Sequence, residues 1–579
     1  MLECYTPIMS AETDLLSPPG GLVQQKREKP GSLHLLMCTL LALFAFYFNW
    51  ATGHRGIDLL DQSMIIDGGW RILQGQIPYK DFLIPFVPVT FYIQALFFRL
   101  FGVNWTATVL SACLLNVVAT LSVIRMVRLL LGDRSRVLAW CAGFGTAVCF
   151  QAPFGTLWLE QTAMFFDLLA LQAAVESLHA AGFRRSFWQV ACGISLAVAM
   201  FSKQNFGTLF VPIVFAVLVA GELPDLRRVF RSILIAGAGL AAGLAIFVGW
   251  VRVFSDWPSF VQRAIVVAGE IGRTRLTPTA LAHALTFEAV PNAFQIDLLG
   301  ILAGGIALSI AFSNLWSKDS NPIVWRELAP VNVIAIVLPV FHSVTQTTTL
   351  NEFQNSFAFV PLVAALAAGL LFRVMDYVVI APAVNLRLPS ARSVKIFLSA
   401  AIGLWGLMVL VYIGKAAWAR SIQEFTKGTR FSDAIQVRGM EWVRWGEPTL
   451  IDFKSILPRA DFENLASYLS AKKDTFFVMG DTTMLYALLG TPSPQPMLYF
   501  LPGHSYLPRE IPQLDEMVSE SLKRNNVRVV VREKVTFLPD VHDAYPQFPR
   551  TWAWFTSHFE HAKDFGNYEV WEWRADGSK

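Results

Sequence analysis

Residues 58–102 read DLLDQSMIIDGGWRILQGQIPYKDFLIPFVPVTFYIQALFFRLFG. The stretch follows the first long apolar segment, yet it carries Asp58, Asp61, Asp67 and Asp81 among aromatics and a Pro-rich turn. Carboxylates this close to a membrane segment cost free energy unless they face water or a substrate cavity, which makes all four functional candidates. The topology turns on whether residues 84–102 cross the bilayer or lie along it. Pro85, Pro88, the short length and the internal Gln94 and Arg99 suit an interfacial helix. Charge asymmetry agrees. With that segment flat, residues 106–131 cross inward and deliver Arg125, Arg128, Arg134 and Arg136 to the cytoplasm, whereas a spanning segment would put all four outside.

Outward from this loop the chain is strongly apolar: 579 residues, 54% hydrophobic and only 16% charged, which describes an integral membrane protein. The net charge of +4 is dispersed and no basic run alternates with aromatics, so no nucleic-acid partner is expected. The six cysteines show no CxxC or metal-type spacing and read as small apolar side chains. Lys26, Arg27 and Lys29 precede the first span, 33–52, and set the N-terminus, residues 1–32, in the cytoplasm. Further spans follow at 106–131, 137–150, 162–179, 188–201, 206–221, 233–253, 296–312, 331–344, 353–372 and 396–413. That makes about eleven transmembrane helices in a module over residues 33–418, with a first outer loop over 53–105 and most basic clusters inside. From 419 to 579 the composition turns polar and no further span occurs. FFVMGDTTMLYALLG reads as strand, turn and helix, and VRVVVREKV and YEVWEWR read as further strands, giving a C-terminal extracytoplasmic, periplasmic α/β domain. Gly480 belongs to no GxGxxG, so a nucleotide site has little support there.

The spacing within the loop carries more. Asp61, then Gly75, then PYKDF, then an aromatic helix closing on RLFG resembles the first extracytoplasmic loop of the GT-C glycosyltransferases. That superfamily includes the protein mannosyltransferases and the aminoarabinose transferases of lipid A, polytopic enzymes that take a sugar from a polyprenyl-phosphate carrier. The resemblance implies an inverting inner-membrane glycosyltransferase acting on an exported glycan, lipid or protein, with membrane lipids around it. The alternatives from other classes are a flippase of lipid-linked saccharides and a non-catalytic scaffold for glycan assembly. A flippase usually shows internal repeats and deep intramembrane acids, whereas this chain gathers its acids in one outer loop.

On the same resemblance Asp61 matches the general base, which must take the acceptor proton on the face opposite the leaving phosphate. As a bare residue it equally reads as the N-cap of a helix over 62–74. Asp81 in PYKDF fits the family's turn, or simply caps the helix that starts near Ile84. Glu160 in GTLWLEQTAMFFD stands where relatives place a second acid: it would orient the acceptor, ligate a divalent cation or mark the interface. No other cofactor is expected, and Gln62 in place of a second adjacent acid makes a shared metal there less favoured. Lys203 in FSKQNFG, with Gln204 beside it, matches the family's lysine at the outer end of a span, where a cation stabilises a phosphate leaving group; headgroup snorkelling is the plain reading. Arg273 and Arg275 in AGEIGRTRLTP would hold phosphate or remain solvated. The polar run HSVTQTTTLNEFQNSF brings His342, Gln354 and Asn355 together for sugar hydroxyls. The family's lysine in the turn after the first loop is missing: IPFVP has Phe86 there. The C-terminal domain is expected to tune acceptor choice without supplying chemistry.

Overall fold

In the computed structural model the described residues are all except 1–30, 58, 133–134, 152–154, 280–297, 299, 307–321, 350–357, 381–390, 423–432, 447–448, 451–455, 502–504, 537–546 and 575–579. The loop reads as two short helices between long ones. α1 (Ser32–Gly53) ends at the loop, α2 is Asp61–Leu73, α3 is Val89–Phe101 and α4 is Trp105–Leu131. α2 stops at Gly75, φ +85°, and α3 at Gly102, φ +83°, left-handed positions that glycine adopts without a Cβ clash. Pro88 precedes α3, whose 13 residues reach about 20 Å, well short of a ~30 Å hydrocarbon core. Its Leu96, Leu100 and Phe101 are exposed while Phe91, Gln94 and Phe98 are buried, so one face turns outward.

The remaining membrane module is helical: α5 (Arg136–Cys149), α6 (Leu159–Leu178), α7 (Gly182–Met200), α8 (Gln204–Glu222), α9 (Leu226–Phe254) and the helices Pro322–Thr349, Val360–Ile380 and Ala391–Ile422. Among the described residues four helices are, by length and composition, long and apolar enough to cross a membrane: α1, α4, α8 and α9. α1, α4 and α5 pack on one another, and α6 to α9 form the neighbouring group. Polar side chains knit the bundle where backbone groups are within reach. Asn116 donates to the Ala45 and Ala147 carbonyls at 3.1 and 2.9 Å, joining α4 to α1 and α5. Arg420, fully buried near the end of the last membrane helix, donates to Val148 O and Thr52 Oγ1, each at 2.9 Å, and to Asn49 Oδ1. At the ends expected inside, Arg125 pairs with Glu176 at 2.6 Å and Arg185 with Glu222. Buried acids thus partner two of the cations that set the orientation reading.

The C-terminal part is built on a four-stranded sheet in the order Phe476–Met479, Val529–Glu533, Tyr568–Trp573, Phe559–Phe565. The first pair is parallel, joined by a crossover containing helices Met484–Leu489 and Ile511–Arg524, and the other pairs are antiparallel. Its core does not close on itself. Ile66 and Trp70 of α2, Phe97 and Phe98 of α3 and Trp105 of α4 share one continuous apolar cluster with Trp445, Phe476, Tyr486 and Val531. The backbones are stitched as well, through Arg444 N to His54 O at 2.7 Å and Trp105 N to Gly439 O at 2.7 Å. The composition change near residue 419 is therefore not a boundary between separate cores.

Candidate active site

A strap after helix Met484–Leu489 reaches back to the first outer loop. Trp70 Nε1 donates to Thr491 O at 3.0 Å, and Arg71 donates to Gln495 O at 2.5 Å and to Ser493 Oγ. Leu83 and Met497 form a backbone bridge, with Leu83 N to Pro496 O at 2.8 Å. Two residues further, Tyr499 stacks on Phe86 with ring centroids 6.1 Å apart. Arg71 is itself fully buried and held by Asp67 at 3.0 Å. Burial pushes the Asp67 carboxyl up to about 6, against the pull of Arg71. Asp67 is thereby the anchor of the strap's own anchor.

The other wall comes from the membrane helices. Lys203 holds the N-cap position of α8 and Glu160 lies in the first turn of α6. Their charged atoms meet at 2.8 Å with both side chains largely buried, and the Lys203 ammonium also sits 4.4 Å from the centroid of the Phe86 ring. The turn lacking the family's lysine is thus served by a lysine from another element, resting on the aromatic that replaced it. Backbone pairing of Val89 N with Phe201 O at 3.0 Å fixes the approach. Gln204 acts as a strut: its amide lies 3.4 Å from Pro85 O and 3.3 Å from Ala264 O, tying the Pro turn to the outer loop that follows α9.

That loop folds as α10 (Trp257–Phe260), a π-helical turn Val261–Val267 and α11 (Ala268–Arg275). π-turns are rare and concentrate at functional sites. Here the turn aims Arg263 at Glu510 of the C-terminal part, a buried pair at 3.2 Å, while Glu270 pairs with Arg509 at 2.5 Å. The two arginines of the sequence motif separate, as residues two apart on a helix must. Arg273 is exposed, and Arg275 is half-buried and close enough to Tyr499 for the two groups to act on each other electrostatically.

Tyr499 is where the parts converge. Burial holds its hydroxyl well above the ordinary phenol range; the charge of Asp61 adds to this, Arg275 opposes it and Glu160 adds again. Asp61, Arg275 and Glu160 thus all act electrostatically on one buried hydroxyl, with Lys203 bonded to the last of them. Asp61 opens α2 as its first residue, with Leu60 in the N-cap position. Beside it, Gln62 donates to Thr156 Oγ1 at 2.9 Å, bringing the start of α2 to the turn that leads into Glu160.

Other candidates stand elsewhere. Asp81 is exposed and accepts from Ile77 N at 2.7 Å, closing its own turn and not the helix after it. His342 is buried and stacks on Phe359, while Asp58, Gln354 and Asn355 lie outside the described residues. Asp167, fully buried two turns below Glu160, meets no partner with either oxygen among the described residues. Among the described residues no three His, Cys, Asp or Glu side chains stand together as a metal site, and the Lys203 ammonium already lies against Glu160. Tyr499 was not legible in advance: TPSPQPMLYFLP reads as a Pro-rich connection, and nothing local says which aromatic is turned into a site 400 residues away in the chain.

Residues 85–251 match the family model of dolichyl-phosphate-mannose-protein mannosyltransferase. Among solved structures, ArnT from Cupriavidus metallidurans bound to undecaprenyl phosphate superposes with a TM-score of 0.54 at 15% identity, covering 94% of this chain and 98% of that one. The chain shares the fold of this ArnT. ArnT of the same organism in the apo state gives a TM-score of 0.48 at 14% identity, over 93% of this chain and 97% of that one. Arabinosyltransferase EmbB from Mycobacterium smegmatis gives 0.38 at 15% identity, over 68% of this chain and 41% of that one. No curated protein sequence matches. The interval matched by the family model runs from the Pro turn into α9 and contains Glu160, Lys203 and the helices that bring them together.

Proposed function

We propose that this GT-C protein is an inverting glycosyltransferase of the bacterial inner membrane that moves a sugar from a polyprenyl-phosphate donor to an exported glycan, lipid or protein acceptor. The observation that carries this is the buried Lys203, held by Glu160 at 2.8 Å over the Phe86 ring of the loop that also carries Asp61, within a fold shared with a protein solved with undecaprenyl phosphate bound. In the reaction the acceptor hydroxyl oxygen forms a bond to the anomeric carbon while the bond to the phosphate oxygen breaks on the opposite face. Asp61 takes the acceptor proton. The polyprenyl phosphate leaves with the bonding electrons, and the charge it gains falls to Lys203 and Arg275, fixed cations in a partly dry site. Glu160 holds the Lys203 ammonium in place over Phe86. The arginines at the ends of α4 and α7 support a cytoplasmic N-terminus and a periplasmic C-terminal part.

The test is Asp61→Asn in the full chain. Asn keeps the size of Asp and caps a helix about as well, so the unfolding temperature should stay near wild type while transfer from polyprenyl-phosphate sugars falls at least about a hundredfold, the low end of what a positioned base contributes. A wild-type rate in this variant sinks the assignment.

A further inference from the structure

The outer loop after α9 is gripped from two sides. Toward the first outer loop, Ser255 Oγ donates to Pro78 O and the Phe260 ring meets Tyr79 edge-on, with centroids 5.2 Å apart. Toward the C-terminal part, the π-helical turn presents two neighbouring side chains to one carboxylate: Gln262 Nε2 lies 3.2 Å from Glu510 Oε1, and Arg263 Nη1 lies 3.2 Å from Glu510 Oε2. Glu510 is itself fixed, because its Oε2 also accepts from Leu507 N at 2.8 Å across the turn Pro508–Glu510 that leads into helix Ile511–Arg524. Both side chains of the ion pair are buried, at 4% and 7% exposure. A buried pair of this kind adds little net stability over apolar packing of the same volume, since desolvation offsets the attraction. What it supplies is direction: three donors on one carboxylate fix the placement of the turn, where apolar side chains could slide. The next residue shows what that placement serves. Ala264 O, one residue on from Arg263, takes the Gln204 amide at 3.3 Å, and the same amide reaches Pro85 O at 3.4 Å. Gln204 follows Lys203 directly, and Pro85 precedes Phe86, the ring on which the Lys203 ammonium sits. Every step from Glu510 through Arg263, Ala264 and Gln204 to Lys203 is therefore a hydrogen bond or a peptide bond.

We propose that Glu510 is a positioning residue of the donor site: by holding Arg263 it sets the Ala264 carbonyl, which holds Gln204 and with it Lys203 against Phe86, so that a side chain of the C-terminal part governs how tightly the lipid phosphate is bound. This rests on the reading of Lys203 as the cation that meets a polyprenyl phosphate. The C-terminal part then bears on donor binding through a chain of contacts, and the π-helical turn is the element that carries the effect across. Lys203 keeps Glu160 when the chain is broken, so its charge remains and only its placement changes.

The experiment titrates the full-length protein in detergent with undecaprenyl phosphate and, separately, with undecaprenol, which has the same chain and no phosphate. Arg263→Met together with Glu510→Gln removes both buried charges and keeps an acceptor for Leu507 N, so the unfolding temperature should stay near wild type. Affinity of this pair variant for undecaprenyl phosphate should fall about tenfold, the low end of what a hydrogen bond to a charged group is worth, while undecaprenol binds as before. Glu510→Asp keeps both charges, draws the carboxylate back by one methylene and should show the same selective loss to a smaller degree. Gln204→Ala should match the pair variant, and adding it to that pair should weaken binding no further, because all three residues act through one chain of contacts. Wild-type affinity in the pair variant or in Glu510→Asp, an equal loss for undecaprenol, or losses that multiply in the combined variant overturn the inference. A wild type that binds the two lipids alike removes instead the polyprenyl-phosphate reading beneath it.

Discussion

Replacing Lys203 by methionine leaves Glu160 buried without its cation. The two charges stand 2.8 Å apart with side chains 13% and 3% exposed. At an effective dielectric of about 20 the attraction is roughly 6 kcal/mol, and part of it offsets the loss of water around both groups. Breaking such a pair from one side costs about 3–5 kcal/mol because the remaining buried charge loses its counter-ion. Glu160→Gln should cost less, about 1–2 kcal/mol, since the ammonium keeps the Phe86 ring and a path toward solvent. The double variant Lys203→Met with Glu160→Gln leaves no buried charge and should recover most of the stability, giving a coupling of at least about 2 kcal/mol in the cycle. Thermal unfolding of the four proteins in one detergent measures this. Transfer activity, followed in parallel, separates two roles: the double variant should be stable and still inactive, because nothing then meets the phosphate beside Phe86. An unfolding temperature equal to wild type for Lys203→Met, or a cycle without coupling, would refute the reasoning. Full turnover in the double variant would remove Lys203 from the chemistry.

Three further outcomes follow from the packing. Ending the chain at residue 419 should abolish donor hydrolysis as well as transfer, because it strips Ile66, Trp70, Phe97 and Trp105 of their apolar cover; monodisperse, active truncated protein in size-exclusion chromatography would contradict this. Arg420→Met should lower the unfolding temperature by several degrees, as Val148 O, Thr52 Oγ1 and Asn49 Oδ1 lose a buried donor worth about 2–4 kcal/mol in total. Glu533, buried at the end of its strand beside Asp481, has its carboxyl pushed up to about 8 by burial and then by the Asp481 charge. A folded value above the unfolded one means the contribution is fully present below about pH 4.5 and is lost as pH rises through about 8, so the wild type should unfold at lower temperature at pH 8 than at pH 5. Glu533→Gln keeps an acceptor for Asp481 N and Thr482 N and should flatten that dependence; an unchanged slope would count against it.

The sequence by itself determined the membrane module, because long apolar helices and the placement of arginines are local properties that hydropathy and charge report directly. It also determined that α3 is short, since Pro88 and Gly102 bound a helix of 13 residues. Asp61, Glu160 and Lys203 could be named as candidates because each sits at a helix end where a charge is conspicuous. Their relations were decided only by tertiary structure. Asp67 and Asp61 look alike in the chain, and what makes the first an anchor is Arg71, whose other partners lie more than 400 residues away. Arg273 and Arg275 look like a pair, and helical geometry sends one to solvent and the other toward Tyr499. The C-terminal part shows a polar composition that suggests independence, but composition does not reveal which apolar side chains share a core. Burial against α2 and α3, a long-range event, is what turns a Pro-rich connection into a wall of the site.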